Sequence, residues 1–300
     1  MRRRLLAQAL ALAVLLGAAA APAHAGRVLL TGYDLVATPG EAVRLRFKAE
    51  RFRLIRWDMH GLEVEFYLFD RAHGGWQRLG SARSAGDGYA DLLASAPAVP
   101  GHHWVAARLR SGQRHWSDWA YLYLGVLPPG ARVVVTDIDH TIYDGGQWGL
   151  LGVVLGATGS APPVQGAVAG LQALAADAAV VYLTARDDYF TGATRRWLAH
   201  WRFPPGALFV SDGLGLGRDP TAYKAGVIAA LKARFDVAVA FGDRETDLAA
   251  YQRNQVPAFI FARDPSRFPG AEGVYEHWDA LRAAVHAGAH AGVLGWASRF

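Results

Sequence analysis

The pattern of apolar residues changes at Pro128-Pro129-Gly130, and this change restricts the possible folds of the 300-residue chain more than any other feature. Before it, short runs alternate apolar and polar residues between glycine- and proline-containing turns, which is typical of antiparallel strands. After it, continuous apolar runs alternate with helical stretches, which is typical of a parallel sheet covered by helices. The sequence therefore predicts two domains, residues 26–127 and residues 128–300.

The first predicted domain is an antiparallel β-sandwich of immunoglobulin-like type. Its predicted strands are 27–37, 42–48, 62–69, 76–82, 103–110 and 119–127. In the second of these, Arg44, Arg46 and Lys48 alternate with apolar residues, so one face of the strand is basic. A solvated sheet face and a contact surface for anionic lipid headgroups both fit this pattern. Aromatic residues do not interleave with the basic ones, so we expect no nucleic-acid partner.

The second predicted domain is a doubly wound α/β sheet. Its predicted strands are 133–135, 180–183, 208–210, 237–241 and 258–261, and its predicted helices are 163–175, 191–201, 223–235 and 246–253. The functional residues of such a sheet collect at the carboxyl ends of its strands. Residues that follow each predicted strand are therefore the candidates for chemistry.

Residues 1–25 have the layout of a secretory signal peptide. Arg2, Arg3 and Arg4 precede an apolar run, and the segment ends in an A-x-A cleavage site, so we expect cleavage after Ala25. A retained membrane anchor is the alternative. Cleavage removes three positive charges and no negative ones, which lowers the formal net charge from +5 to +2. We expect an exported protein, periplasmic or secreted.

The chain contains no cysteine. This excludes disulfides, a thiolate nucleophile and cysteine-ligated zinc or iron–sulfur centres. A nucleophile, if the protein is an enzyme with a covalent intermediate, must come from another residue type.

Polar side chains follow the predicted strands of the second domain. They are Asp137 and Asp139 after the first strand, Thr184 and Arg186 after the second, Lys224 at the start of a helix, and Asp243 and Asp247 after the fourth. Each group alone has a structural explanation, such as a solvated turn, a helix cap or a surface lysine. Two carboxylates at the end of a buried strand also require compensation, which a divalent cation or a substrate supplies.

The order and spacing of these residues resemble the four motifs of the haloacid dehalogenase superfamily of phosphotransferases: D-x-D-x-T, then Thr, then Lys, then G-D-x-x-x-D. The similarity spans residues 132–265. The strings DIDHTI, LTAR, P-x-x-Y-K and AFGDRETDLAAY resemble the catalytic domain of lipin-type phosphatidate phosphatases and of the actin-patch phosphatidate phosphatase of yeast. Two positions differ, because His140 stands where lipins carry glycine and Asp243 where they usually carry asparagine.

The resemblance implies a phosphatase that uses Mg²⁺ and forms an aspartyl-phosphate intermediate. Asp137 would be the nucleophile. Asp139 would act as general acid on the leaving alcohol and then as general base on water. The implied Mg²⁺ ligands are the Asp137 carboxylate, the Asp139 backbone carbonyl and one of Asp243 or Asp247.

The resemblance also implies contacts to the phosphate. Thr184 and nearby backbone amides would hold the phosphoryl oxygens, and Lys224 would balance the charge of the intermediate. Arg186 would be a further contact to the phosphate or to a headgroup.

No large cap domain is expected over this site, because only residues 143–161 and 184–224 are available for one and the second segment already contains a predicted helix and strand. An open site suits a phosphate carried on a bulky body or on a membrane surface. The apolar segment between Trp148 and Leu155 is either a buried flap or a contact with acyl chains or a bilayer.

The leading prediction is a phosphatidate phosphatase that releases diacylglycerol and phosphate. A phosphatase for soluble phosphomonoesters or nucleotides is one alternative. A non-catalytic phosphatidate-binding module is another, since some lipin-like domains lack the catalytic acids. The presence of both Asp137 and Asp139 favours turnover.

Overall fold

The computed structural model describes residues 26–52, 56–70, 73–145, 161–212 and 219–300. The chain forms two compact units. The first contains residues 44–94 and 104–122 with the segment that ends at Gly32, and the second contains residues 33–43, 95–103 and 123–300. The domain boundary at residues 127/128 stays a prediction. The signal peptide, residues 1–25, and the segment between Trp148 and Leu155 lie outside the described residues.

The amino-terminal part of the chain consists of short strands. They are β1 (Leu29–Gly32), β2 (Leu35–Ala37), β3 (Ala42–Phe52), β4 (Arg56–Asp58), β5 (Glu63–Asp70), β6 (Gly75–Arg83), β7 (Tyr89–Ser95), β8 (Gly101–Leu109) and β9 (Ala120–Val126). In the first unit, β3 pairs antiparallel with β1 and β4 and also pairs with β7. Strand β5 pairs antiparallel with β6 and β8.

Alternating residues of these strands form the core of the first unit. Phe47 of β3 and Phe66 of β5 are fully buried and meet edge to face, with their ring centroids 5.5 Å apart. Inward apolar side chains from two sheets therefore pack on each other, as the alternation of apolar and polar residues predicts. The immunoglobulin-like type of this region stays a prediction.

The predicted basic face of β3 carries acidic partners. Arg46 donates to both carboxylate oxygens of Asp91, at 2.8 and 2.7 Å, and the Arg44 guanidinium lies 3.7 Å from the same carboxylate. The Lys48 amine lies 3.6 Å from Glu50. These carboxylates offset part of the positive charge that the strand sequence shows. Membrane contact through this face stays a prediction.

The second unit contains a six-stranded parallel sheet, which confirms the predicted α/β fold. Its strands are β10 (Arg132–Thr136), β11 (Ala179–Asp187), β12 (Gly206–Ser211), β13 (Asp236–Gly242), β14 (Ala258–Phe261) and β15 (Gly273–Tyr275), in the spatial order β12-β11-β10-β13-β14-β15. Every neighbouring pair is parallel. The chain starts in the middle of the sheet and extends first to one side and then to the other, so β10 lies at a topological switch point.

Six helices accompany this sheet in the described residues. They are α1 (Ala167–Leu174), α2 (Thr191–His200), α3 (Pro220–Lys232), α4 (Glu245–Arg253), α5 (Trp278–His286) and α6 (Ala291–Leu294). No helix in the part of the chain that the structure describes is long and apolar enough to cross a membrane.

Both faces of the central strand are covered. Val134 belongs to one apolar cluster, with Leu171 and Trp197, while Val133 and Val135 belong to another on the opposite face. A strand buried on both faces needs apolar residues at every position, which is why this part of the sequence shows continuous rather than alternating apolar runs.

The buried carboxylate of Asp34 ties the segment before β2 to the second unit. It accepts hydrogen bonds from the backbone N–H of Tyr123 at 2.6 Å and of Leu208 at 2.8 Å, and it pairs with Arg195 of α2. The Asp34 side chain has no solvent exposure. Two buried backbone donors and one partly buried guanidinium therefore bind this carboxylate.

We expect Asp34→Ala to lower the free energy of unfolding by about 3–5 kcal/mol, because it leaves two buried backbone N–H groups and the partly buried guanidinium of Arg195 without this carboxylate. Urea denaturation followed by tryptophan fluorescence measures this change. Asp118→Ala is the matched control, since Asp118 forms an ion pair with Arg27 whose side chains are 65% and 55% exposed, and we expect it to cost about 0–1 kcal/mol. Equal losses in the two variants would contradict the anchoring role of Asp34.

Candidate active site

The site lies at the carboxyl edge of the parallel sheet. Strands β10, β11 and β13 end there, and helices α3 and α4 begin there. The backbone N–H of Asp137 donates to the Phe241 carbonyl at 2.9 Å, which continues the β10–β13 pairing one residue past the strand end. Because β10 and β13 are adjacent and parallel, the first and the last predicted motif lie side by side at this edge of the sheet.

A cavity of about 580 Å³ opens at this edge. All seven residues that the sequence predicts for the site line it: Asp137, Asp139, Thr184, Arg186, Lys224, Asp243 and Asp247. The structure therefore brings together residues that are up to 110 positions apart in the sequence. Their individual roles stay predictions.

Lys224 bridges two of the carboxylates. Its Nζ donates to Oδ1 of Asp137 at 2.6 Å and to Oδ1 of Asp247 at 2.5 Å. All three side chains are at most 6% exposed. Burial alone would lower the pKa of Lys224, but the two carboxylates outweigh it and hold the pKa above the ordinary lysine value, so the amine stays protonated.

Asp247 lies in the first turn of α4 and is fixed from the other side by backbone. Its Oδ2 accepts the N–H groups of Asp243 and Arg244, both at 3.2 Å. Gly242 is required for this approach, since a Cβ atom there would lie 2.7 Å from Cβ of Asp247. The glycine of the fourth motif thus makes room for its second aspartate.

Three carboxylates form a compact acidic cluster. One oxygen each of Asp137, Asp243 and Asp247 lie within 4.8 Å of one another. Burial, followed by the neighbouring carboxylates, raises the pKa of Asp137 to about 7 and that of Asp243 to about 8, although Lys224 opposes both shifts. Like charges at this distance in a buried site cannot all ionise at low cost. The cluster binds protons near neutral pH unless another cation replaces them.

The cluster fits Mg²⁺. Oδ1 of Asp243 is buried and accepts no hydrogen bond from any residue that the structure describes, so it is an oxygen without a partner. Three carboxylates against one ammonium leave negative charge in excess, which a divalent cation neutralises. An all-oxygen donor set is the one that Mg²⁺ prefers. Asp139 contributes no side-chain oxygen to the cluster, and the predicted role of its backbone carbonyl stays a prediction.

Asp139 is held by Arg186 instead. Nε and Nη2 of Arg186 donate to the two oxygens of the carboxylate, at 2.9 and 2.7 Å. Burial alone would raise the pKa of Asp139, but the charge and hydrogen bonds of Arg186 hold this pKa below the ordinary value. The structure therefore places the predicted phosphate contact Arg186 on the predicted general acid.

Thr184 lies fully inside the site, at 1% exposure. Its Oγ1 accepts the backbone N–H of Arg186 at 3.1 Å. This hydrogen bond lies within β11, where the register of its pairing with β12 shifts between Leu183 and Asp187. The hydroxyl group can also donate its proton to an acceptor in the cavity.

His140, which stands where lipins carry glycine, has a backbone conformation that favours glycine. Its φ of 58° lies in the left-handed region, where glycine is unstrained and a side chain is disfavoured. Its N–H donates to the Tyr143 carbonyl at 2.8 Å and so closes the turn after Asp139. The glycine that lipins carry here fits the same backbone conformation.

Sequence reasoning missed the charged residues at the mouth of the cavity. Arg244, Glu245 and Arg267 line it, and Arg267 donates to Glu245 at 2.9 and 2.7 Å. Arg244 and Glu245 lie inside the fourth motif and could have been suspected, whereas Arg267 follows β14 and carries no motif.

The segment that forms the site is similar to a known family of domains. Residues 134–262 match the family model described as PITM 1-3, LNS2 domain. This match covers the ends of β10, β11 and β13 and the starts of α3 and α4, which together line the cavity. Together with the acidic cluster it supports a phosphatase of the Mg²⁺-dependent type. No curated protein sequence is similar enough to the chain to count as a match.

Several solved structures are similar to parts of the chain. A chain of the Pnkp1/Rnl/Hen1 RNA repair complex is 18% identical over 43% of this chain and 42% of its own length, with a TM-score of 0.38. A predicted phosphatase from Clostridium acetobutylicum is 14% identical over 53% of this chain and 99% of its own, with a TM-score of 0.41.

Fibronectin(III)-like modules of CbhA from Clostridium thermocellum are 17% identical over 34% of this chain and 95% of their own, with a TM-score of 0.23. The chain thus spans less than half of the RNA repair chain to which it is similar. Likenesses of this size carry no functional conclusion.

The raised pKa values predict how the metal-free protein responds to pH. The folded state holds protons on Asp137 and Asp243 that the unfolded chain has lost, so stability falls as pH rises from about 4 to about 8. We expect Asp243→Asn to raise the melting temperature of the metal-free protein at pH 8 by about 2–4 °C, because it removes one of the repelling charges. We also expect it to weaken the stabilisation that Mg²⁺ gives.

Differential scanning fluorimetry between pH 5 and pH 9, with EDTA or with Mg²⁺, measures both effects. Glu245→Gln is the control, since this exposed residue lies between Asp243 and Asp247 in sequence but is not part of the cluster. A lower melting temperature for Asp243→Asn at pH 8 in EDTA would show that the carboxylates do not repel one another.

Proposed function

We propose that the protein is a Mg²⁺-dependent phosphomonoester hydrolase that acts through an aspartyl-phosphate, with phosphatidate as its leading substrate class. The observation that carries this proposal is the Asp137 carboxylate. It lies buried at the end of the central strand, bonded to Lys224 and next to two further carboxylates in an open cavity. Burying a carboxylate beside other carboxylates lowers the stability of the fold. A purely structural role does not explain why the protein keeps it there.

In the first step, an oxygen of Asp137 attacks phosphorus and the bond between phosphorus and the leaving oxygen breaks. Lys224 keeps its positive charge beside the attacked group and stabilises the phosphoryl oxygens. Asp139, which lines the same cavity, gives a proton to the departing alkoxide. Asp139 receives this proton from the substrate, because a phosphomonoester has a second pKa of about 6 and can enter the site as its protonated monoanion.

In the second step, water attacks the aspartyl-phosphate and Asp139 takes a proton from that water. The pairing with Arg186 favours the carboxylate form of Asp139, which is the form that acts as a base. Phosphate leaves and Asp137 is restored. When bound by Asp137, Asp243 and Asp247, Mg²⁺ supplies charge neutralisation for the approach of an anionic nucleophile to an anionic substrate.

Support for phosphatidate comes from the lipin-like motifs and from the match to an LNS2 domain model. In this proposal the protein is exported, and contact with a membrane surface brings it to its substrate. The presence of both catalytic aspartates supports turnover over binding alone.

A phosphatase for soluble phosphomonoesters is the second candidate, and the cavity lining favours it. Among the residues that the structure describes, the apolar contributors to the lining are only Ala185 and Pro220, while Arg244, Glu245 and Arg267 are charged. A charged mouth suits a polar leaving group better than acyl chains.

Release of inorganic phosphate from para-nitrophenyl phosphate, and from phosphatidate in mixed micelles, tests the proposal. We expect Mg²⁺-dependent activity that EDTA abolishes, and we expect Asp137→Asn to lower kcat by a factor of about 1000 or more because the nucleophile is lost. Asp144→Asn is the control, since this residue lies in the same turn region but does not line the cavity.

Unchanged phosphate release by Asp137→Asn would contradict the assignment of the nucleophile. Activity on para-nitrophenyl phosphate with none on phosphatidate would replace the leading substrate class by the soluble one. Binding of phosphatidate vesicles without any phosphate release would favour the non-catalytic module.

A further inference from the structure

The Arg186 side chain is almost completely buried, at 5% exposure, and it donates hydrogen bonds from three different nitrogen atoms. Nε and Nη2 donate to the two oxygens of Asp139, and Nη1 donates to Oγ1 of Thr194 at 3.1 Å. The guanidinium carbon also lies 4.6 Å from the centre of the Tyr143 ring. Charge, hydrogen bonds and a cation–π contact therefore fix the guanidinium at the same time.

The partners of Arg186 are themselves fixed. Thr194 lies on α2 and has no solvent exposure. Tyr143 is 1% exposed, and its ring packs edge to face on Trp197, with the centroids 5.1 Å apart. The indole N–H of Trp197 donates to the Ala161 carbonyl at 2.7 Å. Arg186 is thus held by α2 and by the turn after β10 together.

Asp139 is the most exposed of the four predicted site carboxylates. Its side chain is 34% exposed, compared with 6% for Asp137 and 1% for Asp247. It does not take part in the acidic cluster and does not contact Lys224. A two-point contact between a guanidinium and a carboxylate fixes the plane of the carboxylate, which a single ammonium cannot do.

We propose that Arg186 is a positioning residue, which orients Asp139 for proton transfer to the leaving oxygen, and that it is not a phosphate contact. This inference rests on the proposed phosphatase function. Proton transfer requires the carboxyl oxygen to lie within hydrogen-bond distance of the leaving oxygen, so a carboxylate that rotates freely loses rate. The rigid frame around Arg186 supplies the orientation.

The proposal predicts a dependence on the leaving group. An alkoxide leaves only with a proton, whereas para-nitrophenolate is stable enough to leave without one. The constant kcat/KM reports the steps up to departure of the leaving group and is insensitive to the later attack of water. A change between variants in the ratio of kcat/KM for an alkyl monoester to that for para-nitrophenyl phosphate therefore reports on the general acid, because effects common to both substrates cancel.

We expect Arg186→Lys, which keeps the charge but loses the two-point contact, to lower kcat/KM for short-chain phosphatidate by about 100-fold and that for para-nitrophenyl phosphate by less than about tenfold. Arg195→Lys is the matched control. Arg195 also pairs with a buried carboxylate in the second unit but does not line the cavity, so it changes stability without changing the ratio. If phosphatidate is not hydrolysed, glycerol 3-phosphate serves as the alkyl monoester.

A double-mutant cycle with Asp139→Asn shows whether Arg186 acts through Asp139. We expect Arg186→Lys to have little further effect on kcat/KM for the alkyl monoester once Asp139 is asparagine. Calorimetric titration with Mg²⁺ should give the same affinity for wild type and Arg186→Lys, because Arg186 does not contact the acidic cluster.

Equal losses on both substrates, together with weaker inhibition by inorganic phosphate, would overturn the proposal and make Arg186 a direct phosphate contact. Additive losses in the double mutant would also overturn it. If Arg186→Lys does not fold, Thr194→Val removes only the Nη1 hydrogen bond, and we expect a selective loss of about threefold to tenfold on the alkyl monoester. An unchanged ratio in that variant would contradict the proposal as well.

Failure of the proposed function gives a different result. A wild-type protein that hydrolyses neither monoester is not a phosphatase for these substrates, and the ratio is then undefined. A wild-type protein that hydrolyses both, with an unchanged ratio in Arg186→Lys, remains a phosphatase in which Arg186 does not position Asp139.

Discussion

The ammonium of Lys224 between two buried carboxylates is the interaction on which the rest of the site depends. Without this charge, the carboxylates of Asp137, Asp243 and Asp247 would repel one another more strongly in a region of low polarity. With it, one positive charge offsets part of the charge of the three carboxylates, and the remaining negative charge attracts a divalent cation. Helix α3 places the lysine in its first two turns, which connects the start of that helix directly to the chemistry.

The sheet order places these charges beside one another. Strand β10 lies between β11 and β13, so the residues that follow all three strands meet at one edge. The strand that precedes Asp137 is buried on both faces and pairs on both sides, as β11 and β13 also are. Asp137 therefore follows a strand that is held on all sides, while exposed charged side chains form the mouth of the cavity.

The sequence predicts the α/β fold of the second unit because buried parallel strands leave an unmistakable apolar signature, as in residues 133–135 and 237–241. It also predicts which residues gather at the site, since strand ends in such a sheet converge. It does not predict β15, which has only three residues, or α5, whose Trp278 and Leu281 are buried in the same apolar cluster as Val134. Strand β7 was missed because Leu92 and Leu93 are adjacent and break the alternation. The pairing of Arg186 with Asp139 depends on side-chain rotamers of residues 47 positions apart, which no spacing reveals.

Asp34 has a consequence for where the catalytic unit begins along the chain. The segment 33–43 belongs to the second unit, and its carboxylate satisfies a guanidinium on α2 and the N–H of Leu208 at the edge of the parallel sheet. A polypeptide cut at Pro128 would contain every motif residue but would lack the carboxylate that these groups require. All the motif residues lie in one stretch of the chain, whereas the second unit that contains them is built from three separate stretches. Transfer of this catalytic unit to another protein would have to carry all three stretches.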